Sequence, residues 1–388
     1  MSWAKRNFEE LVEFHDHERI PLSTLVRETR QGEYPYYGAQ GIIDSIDDFI
    51  FDGEYVLIAE DGANLVTRKE PTARVVHGQF WVNNHAHVVR ARKGIATNRF
   101  LNLLLNHSDL RGYVTGAAQP KLSQGNLRKV TFLCPSYQEQ LRIEAVVSEY
   151  DDLIENNRRR MALLEEAARQ LYREWFVRLR FPGHEHTRII DGLPEGWERR
   201  SLNDLAEFQL GKMLDARKNR GELRPYLANI NVRWGQIDLS YLREMPFEEH
   251  EIDKYGLRYG DIVMCEGGEP GRCAIWKGQA PGMMFQKAIH RIRAAESFDH
   301  HFLYYSLYYK GISGQLAGLF TGATIKHLPR EKLAKVDVKV PPRRLIGLFS
   351  EHVGPIEQQI GILQAAARRA TEARDLLLPR LMSGEIAV

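Results

Sequence analysis

The sequence has few cysteines, and long apolar runs are missing from it. The three cysteines among its 388 residues, Cys134, Cys265 and Cys273, form neither a disulfide framework nor a paired zinc pattern. His85 and His87 alternate as they would on a strand, but no third ligand accompanies them, so we expect both to be polar residues of the surface or of a cleft. No segment approaches the roughly 20 apolar residues that cross a bilayer, and the N-terminus is charged where a signal peptide is apolar. We therefore expect a cytoplasmic protein with no membrane segment and no metal site.

The charge balance excludes little. Lys and Arg number 53 and Asp and Glu 51, which gives a formal net charge of +2. This total does not indicate a nucleic-acid binder, so any basic surface must be local.

The motifs of the common catalytic and cofactor sites are also missing. GGEPGR at Gly267 lacks the Lys-Ser/Thr pair of a phosphate loop, which favours a tight turn. No Asn/Asp-Pro-Pro-aromatic tetrapeptide of an amino-methyltransferase and no glycine-rich dinucleotide loop occurs. Glu60-Asp61 and Glu266 lack the lysine two residues on that a nuclease cluster would have. We assign no catalytic residue and expect a chain that is not an enzyme.

An internal repeat is the dominant pattern. GAAQPKLSQGNLRKVTFLCP at Gly116 aligns with GATIKHLPREKLAKVDVKVP at Gly322, and paired residues stay 206 apart through the segments that follow. Upstream the match is looser, but GEYVLIAEDG still corresponds to GDIVMCEGGE, and Pro35-Tyr36 corresponds to Pro225-Tyr226. The chain is therefore expected to hold two copies of one plan, each a globular part followed by a long helix.

The two long segments show the alternating three- and four-residue apolar spacing of a coiled-coil seam. The first helix is predicted from about Gln138 to Phe176, about 58 Å at 1.5 Å per residue, with Pro182-Gly183 as the stop behind it. Pro355 predicts a kink or a late start in the second helix. Two such helices in one chain should pack antiparallel and act as a spacer. The expected helix-pairing residues are Ile143, Val147, Ile154, Asn157, Met161, Leu164 and Leu171 in the first helix, and Val353, Ile360, Leu363, Leu377 and Leu381 in the second.

The globular parts predict an α+β fold that is rich in strands. Runs such as IIDSIDDFIFDGEYVLIAEDG indicate short strands, whereas TNRFLNLLLNH and FDHHFLYYSLYYK indicate short helices. We place the first globular domain at 1–137, the central helix at 138–181, the second domain at 182–341 and the distal helix at 342–388.

Polar and basic side chains recur in loops beside the strands of both copies. Arg and Lys suit guanine edges and phosphates, whereas Asn and Gln suit adenine, so these loops could read bases in a major groove. Solvated loops are the alternative for each cluster taken alone. The candidate DNA-binding residues are Tyr36, Tyr37, Gln40, Arg68, Lys69, Asn83, Asn84, His85, Gln119 and Lys121 in the first copy, and Lys212, Arg217, Asn229, Asn231, Arg233, Arg272, Lys326 and His327 in the second.

Three segments resemble the specificity subunits of type I restriction-modification systems. LEEAARQLYREWFVRLRFPGHE, with PSYQEQLRIEAVVSEYDDLIENNRRR before it, is similar to the central conserved region of that family, and LLLPRLMSGEI is similar to the distal one. GAAQPKLSQGNL resembles the loop that closes a target recognition domain. The resemblance covers essentially the whole chain. It implies two target recognition domains, each reading half of a bipartite double-stranded DNA target, separated by an antiparallel pair of conserved helices.

The resemblance also implies partners. Two methylation subunits would bind S-adenosylmethionine and methylate adenine N6, and up to two restriction subunits would use ATP and Mg²⁺, so this chain needs no cofactor. The second copy departs from the first in having Ile325-Lys326 where the first has Gln119-Pro120. A fused enzyme and a protein-binding scaffold are the alternatives. Methyl transfer by the isolated chain would support the former, and loss of DNA retention after Lys121→Ala or Lys326→Ala, with folding intact, would count against the latter.

Overall fold

The computed structural model describes residues 3–116, 118–215, 217–296 and 298–388. It divides into two compact units, unit 1 with residues 1–156 and 366–388, and unit 2 with residues 157–365. Both long helices therefore contribute one part to each unit.

Unit 1 combines a strand-rich body with parts of the two long helices. Its strands are β1 Ala4–Asn7, β2 Val12–Phe14, β3 Gln31–Gly38, β4 Gly41–Ile46, β5 Phe51–Ala59, β6 Ala73–Val82, β7 Ala86–Ala91 and β8 Thr131–Cys134. Its short helices are α1 Phe8–Leu11, α2 Thr24–Glu28, α3 Asn64–Thr67, α4 Asn98–His107 and α5 Gln124–Lys129. The long helix α6, Tyr137–Tyr172, begins in this unit.

Unit 2 has the same kinds of element. Its strands are β9 Ile189–Ile190, β10 Leu193–Pro194, β11 Glu198–Ser201, β12 Ala206–Leu210, β13 Glu222–Leu227, β14 Arg243–Phe247, β15 Ile262–Cys265, β16 Cys273–Ile275, β17 Met284–Phe285, β18 Ile289–Ala294 and β19 Asp337–Val340. Its helices are α7 Glu249–Tyr255, α8 His300–Ile312 and α9 Arg330–Leu333. The long helix α10, Arg343–Met382, begins here.

The two units share one sheet topology. In unit 1 six strands follow the order β2-β7-β5-β6-β3-β4, and β3 runs parallel to β6 with Tyr36 opposite Trp81. In unit 2 the equivalent strands form two sheets, a four-stranded sheet in the order β12-β18-β15-β16 and a three-stranded sheet in the order β14-β13-β17. Strand β13 runs parallel to β17, with Tyr226 opposite Met284. The single long strand β6 thus corresponds to two short strands, β16 and β17.

The repeat in the sequence has a structural counterpart at the same spacing. Strand β8 and strand β19 begin at Thr131 and Asp337, and α6 and α10 begin at Tyr137 and Arg343, each pair 206 residues apart. Each of these strands pairs antiparallel with a strand near the start of its own unit, β8 with β1 and β19 with β11. The duplication therefore extends from primary sequence to strand register.

The ends of the long helices differ from the prediction in two places. Helix α6 ends at Tyr172 and continues as a π-helical turn to Val177, so the last residues of the predicted 138–181 segment are not helical. Leu179 has a φ of 60°, a left-handed conformation that turns the chain before Pro182 is reached. Helix α10 runs unbroken through Pro355, so the expected late start is wrong. The helix loses one backbone donor there and continues because its neighbours are packed.

Within unit 1 the two long helices pack antiparallel. Ile143 and Val147 of α6 are buried in one apolar cluster with Leu381 of α10. One stretch further on, an Nη atom of Arg374 donates to Asp151 Oδ1 at 2.7 Å. Residue numbers rise on one helix as they fall on the other, which is the direction that the seam predicted.

Within unit 2 the two long helices contact each other through an aromatic cluster. Phe349 of α10 is fully buried, and its ring lies 5.0 Å from Phe176 and 6.0 Å from Tyr172, centroid to centroid. Farther along the helices, Met161 and Ile360 line one small cavity together. The two-domain α+β fold with paired long helices is confirmed, whereas the domain boundaries set above remain a prediction.

Candidate nucleic-acid interface

Each unit carries a short closed loop with the same hydrogen bonds. In unit 1 the amide of Thr115 donates to Lys121 O at 2.8 Å, and the amide of Lys121 donates back at 2.7 Å. In unit 2 Thr321 and His327 exchange the same two bonds, both at 2.8 Å. We call residues 115–122 loop 1 and residues 321–328 loop 2. Their matching bonds make them one structural motif used twice.

A glycine with positive φ opens each loop. Gly116 has a φ of 87° and Gly322 a φ of 91°, values that residues with a side chain rarely adopt. A Cβ on Gly116 would lie 2.5 Å from Gln119 O, and one on Gly322 would overlap Ile325 O. Glycine is therefore required at both positions, which explains why the Gly-Ala pair recurs in the sequence.

The end of a central strand anchors each loop. The amide of Leu122 donates to Glu60 O at 2.8 Å, and that of Leu328 donates to Glu266 O at 2.7 Å. Each acidic side chain faces a basic residue of its loop: Glu60 lies 3.2 Å from Lys121 Nζ, and Glu266 lies 3.1 Å from His327 Nδ1. These are the carboxylates that lack the lysine of a nuclease cluster, and they hold the loops.

The pair between Lys121 and Glu60 is exposed at one end only. The Lys121 side chain is 54% exposed, whereas that of Glu60 is 12% exposed and also pairs with Arg19 at 3.0 Å. Lys121 therefore presents a basic side chain to solvent at loop 1.

The ring of a buried histidine contacts each loop. His87 Nε2 lies 2.7 Å from Leu122 O and Nδ1 lies 2.6 Å from Asp16 Oδ2. The ring therefore connects loop 1 to Asp16. Burial raises the pKa of Asp16, but the hydrogen bond and charge of His87 outweigh it, and the pKa lies below its ordinary value.

In unit 2 the equivalent contact comes from a neutral ring. His290 Nε2 lies 2.8 Å from Leu328 O, whereas its buried Nδ1 has no partner within the described residues. Burial lowers the pKa of His290, which keeps the ring uncharged at neutral pH. Sequence analysis expected His87 to be a surface or cleft residue and was wrong, since it is 1% exposed.

Most of the predicted DNA-binding residues of unit 1 reach solvent. Tyr37 is half-buried against Phe80, and Arg68 donates to Asn106 O at 2.7 Å. His85 lies 2.6 Å from Asp61, which forms a backbone bridge with Lys121, so His85 and loop 1 are neighbours. The exposed predicted residues are Gln40, Arg68, Lys69, Asn84, His85, Gln119 and Lys121.

Two predicted residues of unit 1 face the core. Tyr36 is 0% exposed, and its hydroxyl accepts from the amide of Leu22 at 2.9 Å. Asn83 is 7% exposed, and its side-chain oxygen accepts from the amide of His85 at 2.8 Å. Both are engaged in holding local structure, so we remove them from the candidate set.

Three predicted residues of unit 2 are also buried. Lys212 pairs with Glu251 and donates to Pro246 O at 2.9 Å. Burial raises the pKa of Glu251, but Lys212 outweighs it and the pKa is lowered. Asn231 bonds three backbone groups within 2.8–3.0 Å. These contacts make Lys212 and Asn231 structural.

Arg272 is the third buried residue, and its contacts support loop 2. It is 8% exposed and donates to Asn229 O at 2.9 Å, while the Asn229 amide reaches Gly267 O at 3.3 Å. Gly267 forms a backbone bridge with His327. The structure thus gathers Asn229, Arg272 and His327, with Asn229 half-buried. Arg217, Arg233, Lys326 and His327 are exposed.

Sequence reasoning missed the anchors of loop 1. Besides Glu60, Arg19 donates to Glu60 Oε2 at 3.0 Å and to Ala86 O at 2.7 Å, which fixes the carboxylate. The 206-residue spacing between Glu60 and Glu266 was a usable signal, whereas nothing in the sequence pointed to Arg19. No helix formed by the described residues combines the length and apolarity needed to cross a membrane.

Comparison with known proteins identifies the class. Residues 1–166 match the family described as "Type I restriction modification DNA specificity domain". The chain is 22% identical to the type I restriction enzyme MjaIX specificity subunit of Methanocaldococcus jannaschii, over 94% of this chain and 90% of that one. It is also 22% identical to the MjaVIII specificity subunit of the same organism, over 94% and 89%.

A solved structure shares the fold. The S subunit of a type I restriction-modification system from M. genitalium superposes with a TM-score of 0.62 at 16% identity, over 98% of this chain and 96% of that one. Fold, repeat and loops together define a DNA specificity subunit, a class that is non-catalytic. The chain belongs to the specificity subunits of type I restriction-modification systems, which confirms the resemblance seen in the sequence.

Proposed function

We propose that each unit reads one half of a bipartite double-stranded DNA target, and that α6 and α10 set the gap between the halves. One observation carries this: loop 1 and loop 2 have the same backbone bonds and the same anchor, yet carry different side chains at their tips. Gln119 and Pro120 in loop 1 are replaced by Ile325 and Lys326 in loop 2. One motif with two sets of tip residues is what two different half-sites require.

The contact set that supports this proposal consists of the exposed polar residues alone. Lys and Arg would hold phosphates or guanine, and Asn and Gln would pair with adenine. The proposed contacts are Gln40, Lys69, Asn84, His85, Gln119 and Lys121 in unit 1, and Arg217, Arg233, Lys326 and His327 in unit 2. Arg68, which is exposed beside Asn106 rather than at the loop, and the half-buried Tyr37 and Asn229 would contribute from the edges.

The chemistry would come from partners. Two methylation subunits would supply S-adenosylmethionine and transfer its methyl group to adenine N6. Two restriction subunits, where the system cleaves DNA, would supply ATP hydrolysis with Mg²⁺. The family membership supports this division of labour, since specificity subunits are non-catalytic.

Exposed apolar residues on the long helices support docking of the methylation subunits there. Leu163 is 72% exposed and Leu376 is 75% exposed, although both lie in coiled-coil helices whose seam residues are buried. Exposed leucines outside the seam gain by association because burying each removes apolar area from water. Leu376→Glu should reduce co-purification with the methylation subunit, and Glu372→Gln on the same helix is the matched control.

Methylome sequencing tests the main proposal. A host would express this chain with its neighbouring methylation subunit, before and after residues 1–137 are replaced by those of another family member. A bipartite methyl-adenine motif in which only one half changes is the expected result. The reciprocal replacement of residues 182–341 should change only the other half. If no motif appears, or if either replacement changes both halves, the proposal is wrong.

A further inference from the structure

Asp299, His300 and His301 converge at the start of α8, outside both loops. Each residue offers one oxygen or nitrogen ligand atom, and these atoms lie within 4.8 Å of one another. Asp299 is also the cap of the helix, since its Oδ1 accepts from the amides of His301 at 2.8 Å and Phe302 at 3.1 Å. A carboxylate has about four lone-pair positions, so capping leaves capacity for another partner.

Two ring nitrogens in this group are buried without a hydrogen bond. His301 is 8% exposed, and its Nδ1 faces Asp299 Oδ1 at 3.4 Å but has no hydrogen-bond partner in the described part of the chain. His300 Nε2 is buried and unpartnered as well. Leaving a buried polar atom without a hydrogen bond is unfavourable, so two adjacent cases indicate a missing partner.

We infer that Asp299, His300 and His301 bind a divalent transition-metal ion, with Zn²⁺ as the first candidate. Imidazole nitrogen and carboxylate oxygen are ligands that Zn²⁺ takes in proteins, and three protein ligands leave a fourth position for water. This inference departs from the expectation of no metal, which rested on cysteine pairs and on the histidines of unit 1.

The surroundings hold the two rings in place. His300 stacks at 4.1 Å on His301 and meets the edge of Tyr259 at 5.7 Å, between ring centroids. A Cβ on Gly354 of α10 would lie 3.9 Å from His301 Cε1, so His301 lies close to that helix. The site therefore lies at the start of α8, next to the part of α10 that belongs to unit 2.

The position also limits the affinity. The N-terminus of a helix carries a partial positive charge that opposes a cation, and Asp299 offsets it. We therefore expect one site of moderate affinity rather than a metal required for folding. Binding would raise the thermal midpoint of unfolding because only the folded chain presents the site.

Calorimetric titration of the full, untagged and metal-stripped chain with ZnCl₂ tests the inference, and Co²⁺ absorption reports the ligand type. We expect one ion per chain and a higher thermal midpoint with Zn²⁺. Asp299→Asn keeps a helix cap but removes the ligand charge, and His300→Ala removes one nitrogen. Each should weaken Zn²⁺ binding by about tenfold or more, since even indirect partners of a metal cost that much.

His250→Ala is the matched control, because His250 lies in the same unit with a side chain that is 76% exposed. It should leave the stoichiometry and the affinity unchanged. Failure of the wild-type chain to bind Zn²⁺ at one ion per chain would overturn the inference. Equal uptake by the folded Asp299→Asn and His300→Ala variants would also overturn it.

Discussion

Replacing Gly322 by alanine should destabilise loop 2. The new Cβ would overlap Ile325 O, at a φ of 91°. A left-handed conformation costs a residue with a side chain about 1–2 kcal/mol. Overpacking costs about 1–3 kcal/mol. Because the loop is exposed and can relax in part, we expect the free energy of unfolding to fall by about 2–4 kcal/mol.

The matched control is Gly318→Ala, four residues earlier. Its φ is not positive and no atom lies within 4 Å of an added Cβ, so this variant should be nearly neutral. Equilibrium denaturant unfolding gives the stability, and competition binding with targets altered in one half gives the DNA contacts. Gly322→Ala should weaken discrimination at one half-site only. Equal stability of Gly322→Ala and Gly318→Ala, with wild-type DNA discrimination, would refute the claim that this turn shapes the reading loop.

Three further outcomes follow from the packing and the charges. Phe349→Ala should lower the free energy of unfolding by about 3–5 kcal/mol in denaturant titration, because a fully buried ring is lost, and a loss below about 1 kcal/mol would contradict that packing. The lowered pKa of Asp16 stabilises unit 1 above the unfolded value near 4, and this contribution is lost as the pH falls below that value. In the Asp16→Asn variant the free energy of unfolding should therefore fall less steeply as the pH is lowered below about 4. An unchanged fall would show that the interaction of Asp16 with His87 does not cause the acid sensitivity. Lys326→Ala should weaken DNA binding and relax discrimination at one half-site, because Lys326 is one of the tip residues by which loop 2 differs from loop 1, whereas an equal loss for all DNA sequences, with a salt slope reduced by about one, would mean that Lys326 contacts only a phosphate.

The repeat and the seam were predictable because they leave periodic signals. A buried residue every three or four positions marks a helix face, and Ile143, Ile154 and Asn157 are all buried as that period requires. The spacing of 206 residues likewise identifies β8 and β19 as equivalent strands of the repeat from the amino-acid sequence alone. Such patterns survive because many residues contribute to each of them.

The direction of single polar side chains was not predictable in the same way. A shift of one residue along a strand reverses the face on which a side chain lies. Tyr36 was expected at the DNA surface and lies in the core, although its counterpart Tyr226 could have marked both as a repeated core position. Lys212 and Arg272 are basic, as DNA-binding residues often are, but their side chains bind Glu251 and the backbone of Asn229, which are distant in sequence. Only tertiary contacts decide whether such a cation is free.

The composition of unit 1 has a consequence for biosynthesis. Its core includes Leu381 and Met382 together with Phe8 and Leu104, so residues that are translated more than 200 positions apart pack together. At about 5–20 residues per second, the ribosome needs roughly 10–50 s to pass from residue 156 to residue 381. During that interval the apolar face of the nascent first domain stays uncovered. Unit 2 emerges as one continuous stretch and can complete its core first, so the order of folding reverses the order of synthesis.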